Sequence, residues 1–308
     1  MKNKSRIKIA IVGATGLVGR MFAKVLTERK IEAEYILFNR TGGACVEILG
    51  RTYLTNALTE DNVRLFGSCD FALFSAGSET SKAFAPLFAE MGAIVIDNSS
   101  AFRRDPTKLL IIPECNGAAL KKVKPKTIIS NPNCTTIGSL VALKPLDDVF
   151  KLESVVYSSY QAISGAGGKA MLAFQNGTHA VINNVIPYID GEEEKMAHET
   201  RKILGRENIS VVATCIRVPV PNCHTVAIHA TFKKPITVEA VKEVLKKSAG
   251  VVLLADDILP SPIVAEGRDE VFVGRIRIVE NTLCFITASD NIRKGAATNA
   301  VQIMQKML

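Results

Sequence analysis

Through its first 130 residues this 308-residue chain alternates short apolar runs with amphipathic stretches of helical length, and no other feature restricts its fold as much. "RIKIAIVG" reads as a buried strand, and "LVGRMFAKVLTERK" as a helix with Val18, Phe22, Val25 and Leu26 on one face. "AEYILF" is a second strand, and "CDFALFSAG" (69–77) another, followed by helical "ETSKAFAPLFAEMG". "AIVIDNSS" (93–100) and "TIIS" (127–130) continue the series. Apolar strands alternating with helices predict an α/β architecture with a doubly wound parallel sheet. From about residue 150 the texture changes. "SVVYSSYQAISGAG", "SVVATCIRVPV" and "HTVAIHATF" are longer and half-polar, as a largely antiparallel sheet with one exposed face requires. A second, α+β domain follows from that change. The last segment, "NIRKGAATNAVQIMQKML", reads as a helix, and periodicity does not say which domain it joins.

Composition excludes more than it selects. Hydrophobic residues make up 47% and charged residues 22%, an ordinary globular balance. No apolar run nears the roughly 18 residues that span a bilayer, so no membrane partner is expected. The start, "MKNKSRIKIAIVG", superficially resembles a secretion signal, but its apolar part is short and meets glycines, so it reads as the first strand. Seven cysteines without a close CxxC pair point to reduced thiols and a cytoplasmic location. The formal charge is +8, but there is no basic stripe with interleaved aromatics, and tryptophan is absent. Nucleic acid is therefore not expected as a partner. The dense cluster "KKVKPK" at 121–126 reads as a solvated loop. A positive excess also suits an enzyme of anionic substrates, so charge alone does not choose. No metal is expected.

"GATGLVG" follows the first strand and opens the first helix, with glycines at 13, 16 and 19. Glycine lets backbone amides approach a pyrophosphate, and the helix start adds partial positive charge. Any tight strand-to-helix turn also favours glycine, but this placement at the head of an α/β domain favours a dinucleotide. A site for NAD usually carries Asp or Glu about 20 residues on, bonding the ribose 2′-hydroxyl. Here the second strand ends "FNRTGG", offering Asn39, Arg40 and Thr41 and no carboxylate. A guanidinium and a hydroxyl suit a 2′-phosphate, so NADP(H) is the expected cofactor. The plainer alternative makes Arg40 an exposed loop arginine.

Chemistry points to "TIISNPNCTTIGSL". After Pro132, Ile137, Leu140, Val141 and Lys144 fall at helical spacing, so Cys134 sits at or just inside a helix N-terminus. Unpaired N–H groups and the dipole there favour a thiolate. Most free cysteines are inert small hydrophobes; position separates this one from the other six. A thiolate nucleophile usually works with a proton-transfer group. His179 and His198 lie in polar, helix-like segments and read as surface residues. His224 and His229 share a strand but face opposite ways, and His224 lies in a row with Val226, Ile228, Ala230 and Phe232. His224 also abuts the rigid turn "VPVPNC", where a catalytic group can be held.

"GATGLVG", "DNSSAFRRDP", "IPECN", "SNPNCTT", "YQAISGAG", "RVPVPNCHT" and "DNIRKGAATNAVQI" together resemble aspartate-semialdehyde dehydrogenase, in family order and over nearly the whole chain. The resemblance implies a Rossmann-type NADP-binding domain at 1–133, completed by a C-terminal helix at 292–308, and a catalytic and dimerisation domain at 134–291. It implies reversible, NADPH-dependent reductive dephosphorylation of 4-aspartyl phosphate to aspartate semialdehyde. That step feeds lysine, diaminopimelate, threonine and methionine synthesis. Cys134 would be the nucleophile that carries a thioester, His224 the acid/base group with an imidazole near neutral pKa, and Gln161 the residue that orients the substrate. From its row alone, Gln161, beside Val155, Tyr157 and Ser159, also reads as a core glutamine. Arg217 would clamp the substrate carboxylate, Arg103 and Asn133 would face the phosphate with Lys195, and Glu192 would bind the ammonium. Without the resemblance, Glu192 and Lys195 read as a solvated ion pair, and Arg104 reads as structural or exposed. Implied cofactor contacts are Gly13, Thr15, Gly16, Leu17, Val18, Arg40, Thr41, Ser75, Gly77, Ser164, Gly165 and Asn291. A homodimer or higher homo-oligomer is expected.

The chain departs from the family pattern in two places. Gln161 and Glu192 are only 31 positions apart, an interval usually longer in the family, so "AMLAFQNGTHAVINNVIPYID" reads as a compacted helical subdomain. Cys223 stands where family motifs often have glycine, as a small filler or an oxidation-sensitive neighbour. Rival readings are N-acetyl-γ-glutamyl-phosphate reductase, which typically has P-G-C at the nucleophile, and a CoA-thioester reductase on the same scaffold. A redox sensor that binds NADP without turnover is the alternative outside enzymes.

Overall fold

The computed structural model describes residues 6–308, and the basic start weighed above as a signal lies largely outside them, at 1–5. The chain forms two compact units. One comprises the chain up to Pro113 with Gly117–Pro132 and Ala296–Leu308; the other comprises Glu114–Asn116 and Asn133–Gly295.

In the first unit, strands β1 (Lys8–Val12), β2 (Glu34–Asn39), β3 (Cys45–Ile48) and β4 (Arg51–Ala57) join β5 (Phe71–Phe74), β6 (Ile94–Asp97), β7 (Leu109–Leu110) and β8 (Thr127–Ser130). Their order in the sheet is β3-β4-β2-β1-β5-β6-β8-β7, parallel at every pairing except β3 with β4. The sheet is covered on both faces because β1 is apolar at successive positions. Ile9 and Ile11 pack with Phe22, Val25 and Leu26 of the helix Leu17–Glu28 and with Val301 and Met304 of the helix Thr298–Gln305. Ala10 and Val12 turn the other way, toward Ala85 and Phe88 of the helix Ser78–Glu90. Phe88 meets Phe38 and Phe74 edge-on, a favoured aromatic geometry. The β3–β4 hairpin turns at Leu49 and Gly50, both with positive φ (52° and 70°), which suits the two-residue connection between antiparallel strands.

In the second unit, β9 (Leu152–Gln161), β10 (Ser210–Arg217), β11 (His224–Phe232), β12 (Val251–Leu253), β13 (Val271–Val279) and β14 (Thr282–Ser289) form a sheet of order β10-β9-β11-β14-β13-β12. The pairings of β9 with β11, β11 with β14 and β14 with β13 are antiparallel; β9 with β10 and β12 with β13 are parallel. The helix Cys134–Phe150 crosses this sheet and is buried almost all round over its first ten residues. The helix Glu192–Leu204 packs against both β10 and that helix. The segment read as compacted holds the helix Gly168–Gln175 and turns. The C-terminal stretch read as one helix is a π-turn over Arg293–Ala297 before Thr298–Gln305 begins.

Lys294, at that turn, is fully buried and donates to both carboxylate oxygens of Glu114 at 2.8 Å. Breaking a buried pair strands the other charge. Glu114→Ala should therefore destabilise the protein by about 3 kcal/mol, read from the midpoint of urea unfolding at constant slope.

Candidate active site

Three strand ends meet in the second unit. On β9, Val155, Tyr157, Ser159 and Gln161 form the buried row, and Gln161 is its last member. Arg217 ends β10 directly opposite Gln161. His224 begins β11, with Val226, Ile228 and Ala230 behind it in the buried row. Because β11 runs antiparallel to β9, its first residue lies at the same sheet end as the last residues of β9 and β10. Strand alternation thus places an amide, a guanidinium and an imidazole on one buried face.

Cys134 enters from the helix above. It is the first residue of a 17-residue helix with no acidic residue in its first turn. Its Sγ lies 3.1 Å from His224 Nε2. Partial positive charge at the helix start favours a thiolate there. The His224 ring is buried, and its Nδ1 accepts the Ala162 amide at 3.0 Å. Burial, with the Arg217 charge adding to it, pulls the imidazole down from 6.5 to about 3. That direction takes the ring below the near-neutral value that the resemblance implies. Arg217 is itself buried and donates through Nη1 to the Ala162 carbonyl at 2.7 Å. Desolvation lowers its pKa, while Cys134 and Glu192 oppose that shift. Gly165 closes the floor, since a Cβ there would come within 3.0 Å of Arg217 Nη1 and 3.1 Å of His224 Cε1.

Asn133 caps the Cys134 helix, its Oδ1 accepting the Thr135 amide at 2.9 Å. Its Nδ2 donates to Glu192 Oε2 at 2.8 Å, and Lys195 Nζ donates to Glu192 Oε1 at 2.7 Å. Glu192 is buried, so this pair is not the solvated one that spacing alone suggests. Gln161 donates to Ser159 Oγ at 3.2 Å. Ser164 bonds Asn291, whose Oδ1 also accepts the Cys223 amide at 2.9 Å. Cys223 adopts φ +71° and is buried against Ala265, Phe272 and Ala288. Burial pushes its thiol well up, which fits a filler rather than a reactive group.

The first unit holds a separate cavity of about 280 Å³ lined by Gly13, Thr15, Gly16, Asn39, Arg40 and Ser75, among others. Gly13 has φ +85°, and a Cβ there would meet the Ser75 carbonyl at 2.2 Å, so only glycine fits. The helix start at Leu17 carries no side-chain cap and no acidic residue in its first turn, which leaves amides for an anion. Asn39 Oδ1 accepts the Thr41 and Gly42 amides, fixing the loop from which exposed Arg40 projects. These features fit a dinucleotide with a 2′-phosphate. Val18 is half-buried; Leu17, Thr41 and Gly77 are exposed. Arg103, also in this unit, is buried and donates to the carbonyls of Asn131 (2.9 Å) and Asn98 (2.7 Å), whereas Arg104 is exposed. Among the described residues no group of His, Cys, Asp and Glu is placed to hold a metal.

Comparison with known proteins agrees with this geometry. The family model "Semialdehyde dehydrogenase, NAD binding domain" matches residues 8–123, and "Semialdehyde dehydrogenase, dimerisation domain" matches 143–294. The aspartate-semialdehyde dehydrogenase of Aquifex aeolicus (strain VF5) is 46% identical, with 98% of each chain covered. The chain belongs to the aspartate-semialdehyde dehydrogenase family. That alignment runs over 334 positions, so the relative carries residues that this chain of 308 lacks. A crystal structure of aspartate semialdehyde dehydrogenase II from Vibrio cholerae, complexed with ASA, superposes with a TM-score of 0.93 at 36% identity, covering 99% of this chain and 98% of that one. The Candida albicans enzyme with NADP gives 0.83 at 26% identity, with 98% of each covered. These comparisons favour the aspartate-semialdehyde dehydrogenase reading over the rival reductases and the redox sensor.

Sequence reasoning missed Glu199 and Ala162. Glu199 Oε2 accepts the Asn133 amide at 2.7 Å and is buried, so it anchors the cap of the Cys134 helix. Its signal was present: a carboxylate on the Met196–Ile203 stripe, among positions the helix buries. The Ala162 amide carries no side-chain signal. His198, read as a surface residue, is half-buried, and its Nε2 is enclosed without a partner among the described residues. The depressed His224 value makes a pH prediction. Between about 3 and 6.5 the unfolded chain binds a proton that the folded chain refuses, so this stability is full above 6.5 and lost as pH falls toward 3. The thermal midpoint should fall on acidification through that window, and less steeply in His224→Gln, as calorimetry would register.

Proposed function

We propose that this chain catalyses the reversible, NADPH-dependent reductive dephosphorylation of 4-aspartyl phosphate to aspartate semialdehyde, with Cys134 as nucleophile. The observation that carries the reading is the Cys134 sulfur at a buried helix start, 3.1 Å from His224 Nε2. Thiolates accept acyl groups readily, and the resulting thioester is electrophilic enough for reduction. Cys134 attacks the acyl carbon, phosphate departs, and the acyl group rests on sulfur. When bound, NADPH supplies the hydride. His224, 3.1 Å from the sulfur, serves as the acid/base group, and Gln161, at the same sheet end, orients the substrate. Arg217 is suited to a two-point grip on the substrate carboxylate, and Glu192 to the ammonium. Lys195 and Asn133 serve the phosphate, with Arg103 assigned by the resemblance alone.

The two domains divide the work in this reading: the unit with the glycine turn holds NADP(H) through Gly13, Thr15, Gly16 and Arg40, and the other carries catalysis and dimerisation. Ser164, Gly165 and Asn291 lie in the catalytic unit and serve the nicotinamide end. The outward face of the second sheet supports a homodimer. Val156, Tyr160 and Val212 are 41%, 42% and 53% exposed, and Val156 and Val212 are direct cross-strand neighbours. Such apolar rows on a sheet face call for a partner, here a second copy. A cytoplasmic location follows from seven free cysteines; no helix among the described residues is long and apolar enough to cross a membrane.

Purified protein should form NADPH from NADP with aspartate semialdehyde only when phosphate is present, and should ignore N-acetylglutamate semialdehyde. Cys134→Ala should bind cofactor and show no turnover; appreciable residual activity removes Cys134 from the mechanism. Arg217→Lys should raise KM about tenfold or more, because an ammonium cannot replace a bidentate grip. Val156→Lys with Val212→Lys should yield monomer in sedimentation equilibrium, and an unchanged mass would move the interface elsewhere.

A further inference from the structure

We propose that Gly295 is a positioning residue for Cys134: its bare backbone is the wall that sets where the sulfur sits, and the buried Lys294–Glu114 pair holds that wall in place. This rests on Cys134 being the nucleophile. A Cβ built on Gly295 would lie 2.8 Å from Cys134 Cβ, 3.2 Å from its Cα and 3.5 Å from its carbonyl oxygen. Carbon atoms that are not bonded rest about 3.5–4.0 Å apart. No side chain therefore fits without moving the first residue of the helix Cys134–Phe150. The backbone angle does not ask for glycine, because φ at Gly295 is not positive. Inside a helical turn glycine is even the less stable choice. Closeness to the nucleophile is what requires it.

The turn that carries Gly295 is fastened at several points, all in the unit that bears Cys134. The Gly295 amide donates to the Asp290 carbonyl at 3.0 Å, the wide bond of a π-turn. Buried Asp290 accepts the Ile292 and Arg293 amides on Oδ1, both at 3.0 Å, and the Gly267 amide on Oδ2 at 2.9 Å. Arg293 Nε donates to Asp269 Oδ1 at 2.9 Å. Lys294, fully buried, grips both oxygens of Glu114 at 2.8 Å. Glu114 is in turn tied to the nucleophile's own helix. Its neighbour Cys115 donates through Sγ to the Leu140 carbonyl at 3.4 Å. A Cβ on Gly250 would meet Glu114 Oε1 at 3.1 Å and Val141 Cγ1 at 3.4 Å, so carboxylate and helix close on the same glycine. Wall and helix thus share one anchor, and the gap between them is fixed.

A fixed gap matters because the helix offers partial positive charge only over its first turn. A displacement of about 1 Å is enough to cost a reacting group about 10²-fold in rate. The sheet supplies the sulfur with chemistry: His224 on β11 lies 3.1 Å away, and the Arg217 charge on β10 interacts with Cys134. Gly295 brings no side chain. What it supplies is a limit on where Cys134 can sit, and that limit keeps the sulfur both at the helix start and beside the imidazole.

The test uses the full chain carrying Gly295→Ala. Alkylation of Cys134 by iodoacetamide, followed across pH and located by peptide mass spectrometry, reads the thiolate directly. At about pH 7 the rate should fall about tenfold, and the midpoint of the pH profile should move upward, since a displaced sulfur loses the helix start. The kcat for semialdehyde oxidation should fall about 10²-fold while KM changes less than about threefold, because placement of the reacting atom is lost and binding is kept. A glycine that merely packs a turn would move the unfolding midpoint and leave the alkylation profile in place; that result overturns the proposal. If Gly295→Ala does not fold, Glu114→Gln carries the test, since it keeps the shape and one acceptor for Lys294. Its Cys134 alkylation at about pH 7 should slow about threefold or more, and an unchanged rate overturns the proposal equally. A shifted alkylation profile in a protein that turns over no semialdehyde would remove the functional reading and leave the positioning role standing.

Discussion

A sulfur held 3.1 Å from an imidazole at the first residue of a buried helix is the contact on which this protein is organised. The helix contributes partial positive charge only at its first turn, so the sulfur must be placed to within a residue. Asn133 fixes the helix start by capping Thr135, and Asn133 is in turn held through its amide by Glu199 and through its side chain by Glu192. The imidazole is placed by a different device, the register of β9, β10 and β11, whose buried rows all terminate at one end. Two independent placements, one helical and one from the sheet, meet at a single contact.

The cofactor-binding unit solves a different problem. Its central strands carry apolar residues at successive positions because helices cover both faces, and β1 supplies Ile9 and Ile11 to one core and Ala10 and Val12 to the other. That packing frees the ends of the strands for binding. The Gly13 turn lies so close to Ser75 that no side chain could fit, and the same closeness exposes backbone amides at an uncapped helix start.

Much of this was legible from local pattern. The strand–glycine–helix opening, the change of texture near residue 150 and the helix behind Cys134 all follow from periodicity and from Pro132 in front of the sulfur. The buried rows ending in Gln161 and His224 follow from strand alternation. What pattern could not supply were contacts between distant segments and groups without a side-chain signature. The β3–β4 hairpin hides behind a Leu-Gly turn, which lacks the usual Asn-Gly or Asp-Gly. The role of Glu199 depends on Asn133, 66 positions away. The downward pull on the imidazole comes from burial and from Arg217 on a neighbouring strand, and the amide that its Nδ1 accepts lies 62 positions away, so no residue type announces either.

Glu114 and Lys294 bond across 180 positions of sequence, and the unit that bears Cys134 needs both. Translation delivers these segments far apart in time. While the ribosome is still elongating past residue 290, the cysteine has its own helix-forming residues but not the full enclosure that tunes it. Long-range closure of this kind comes late in folding. The segment at Gly295, where a Cβ would come within 2.8 Å of Cys134 Cβ, is thus among the last parts of the sulfur's enclosure to be made.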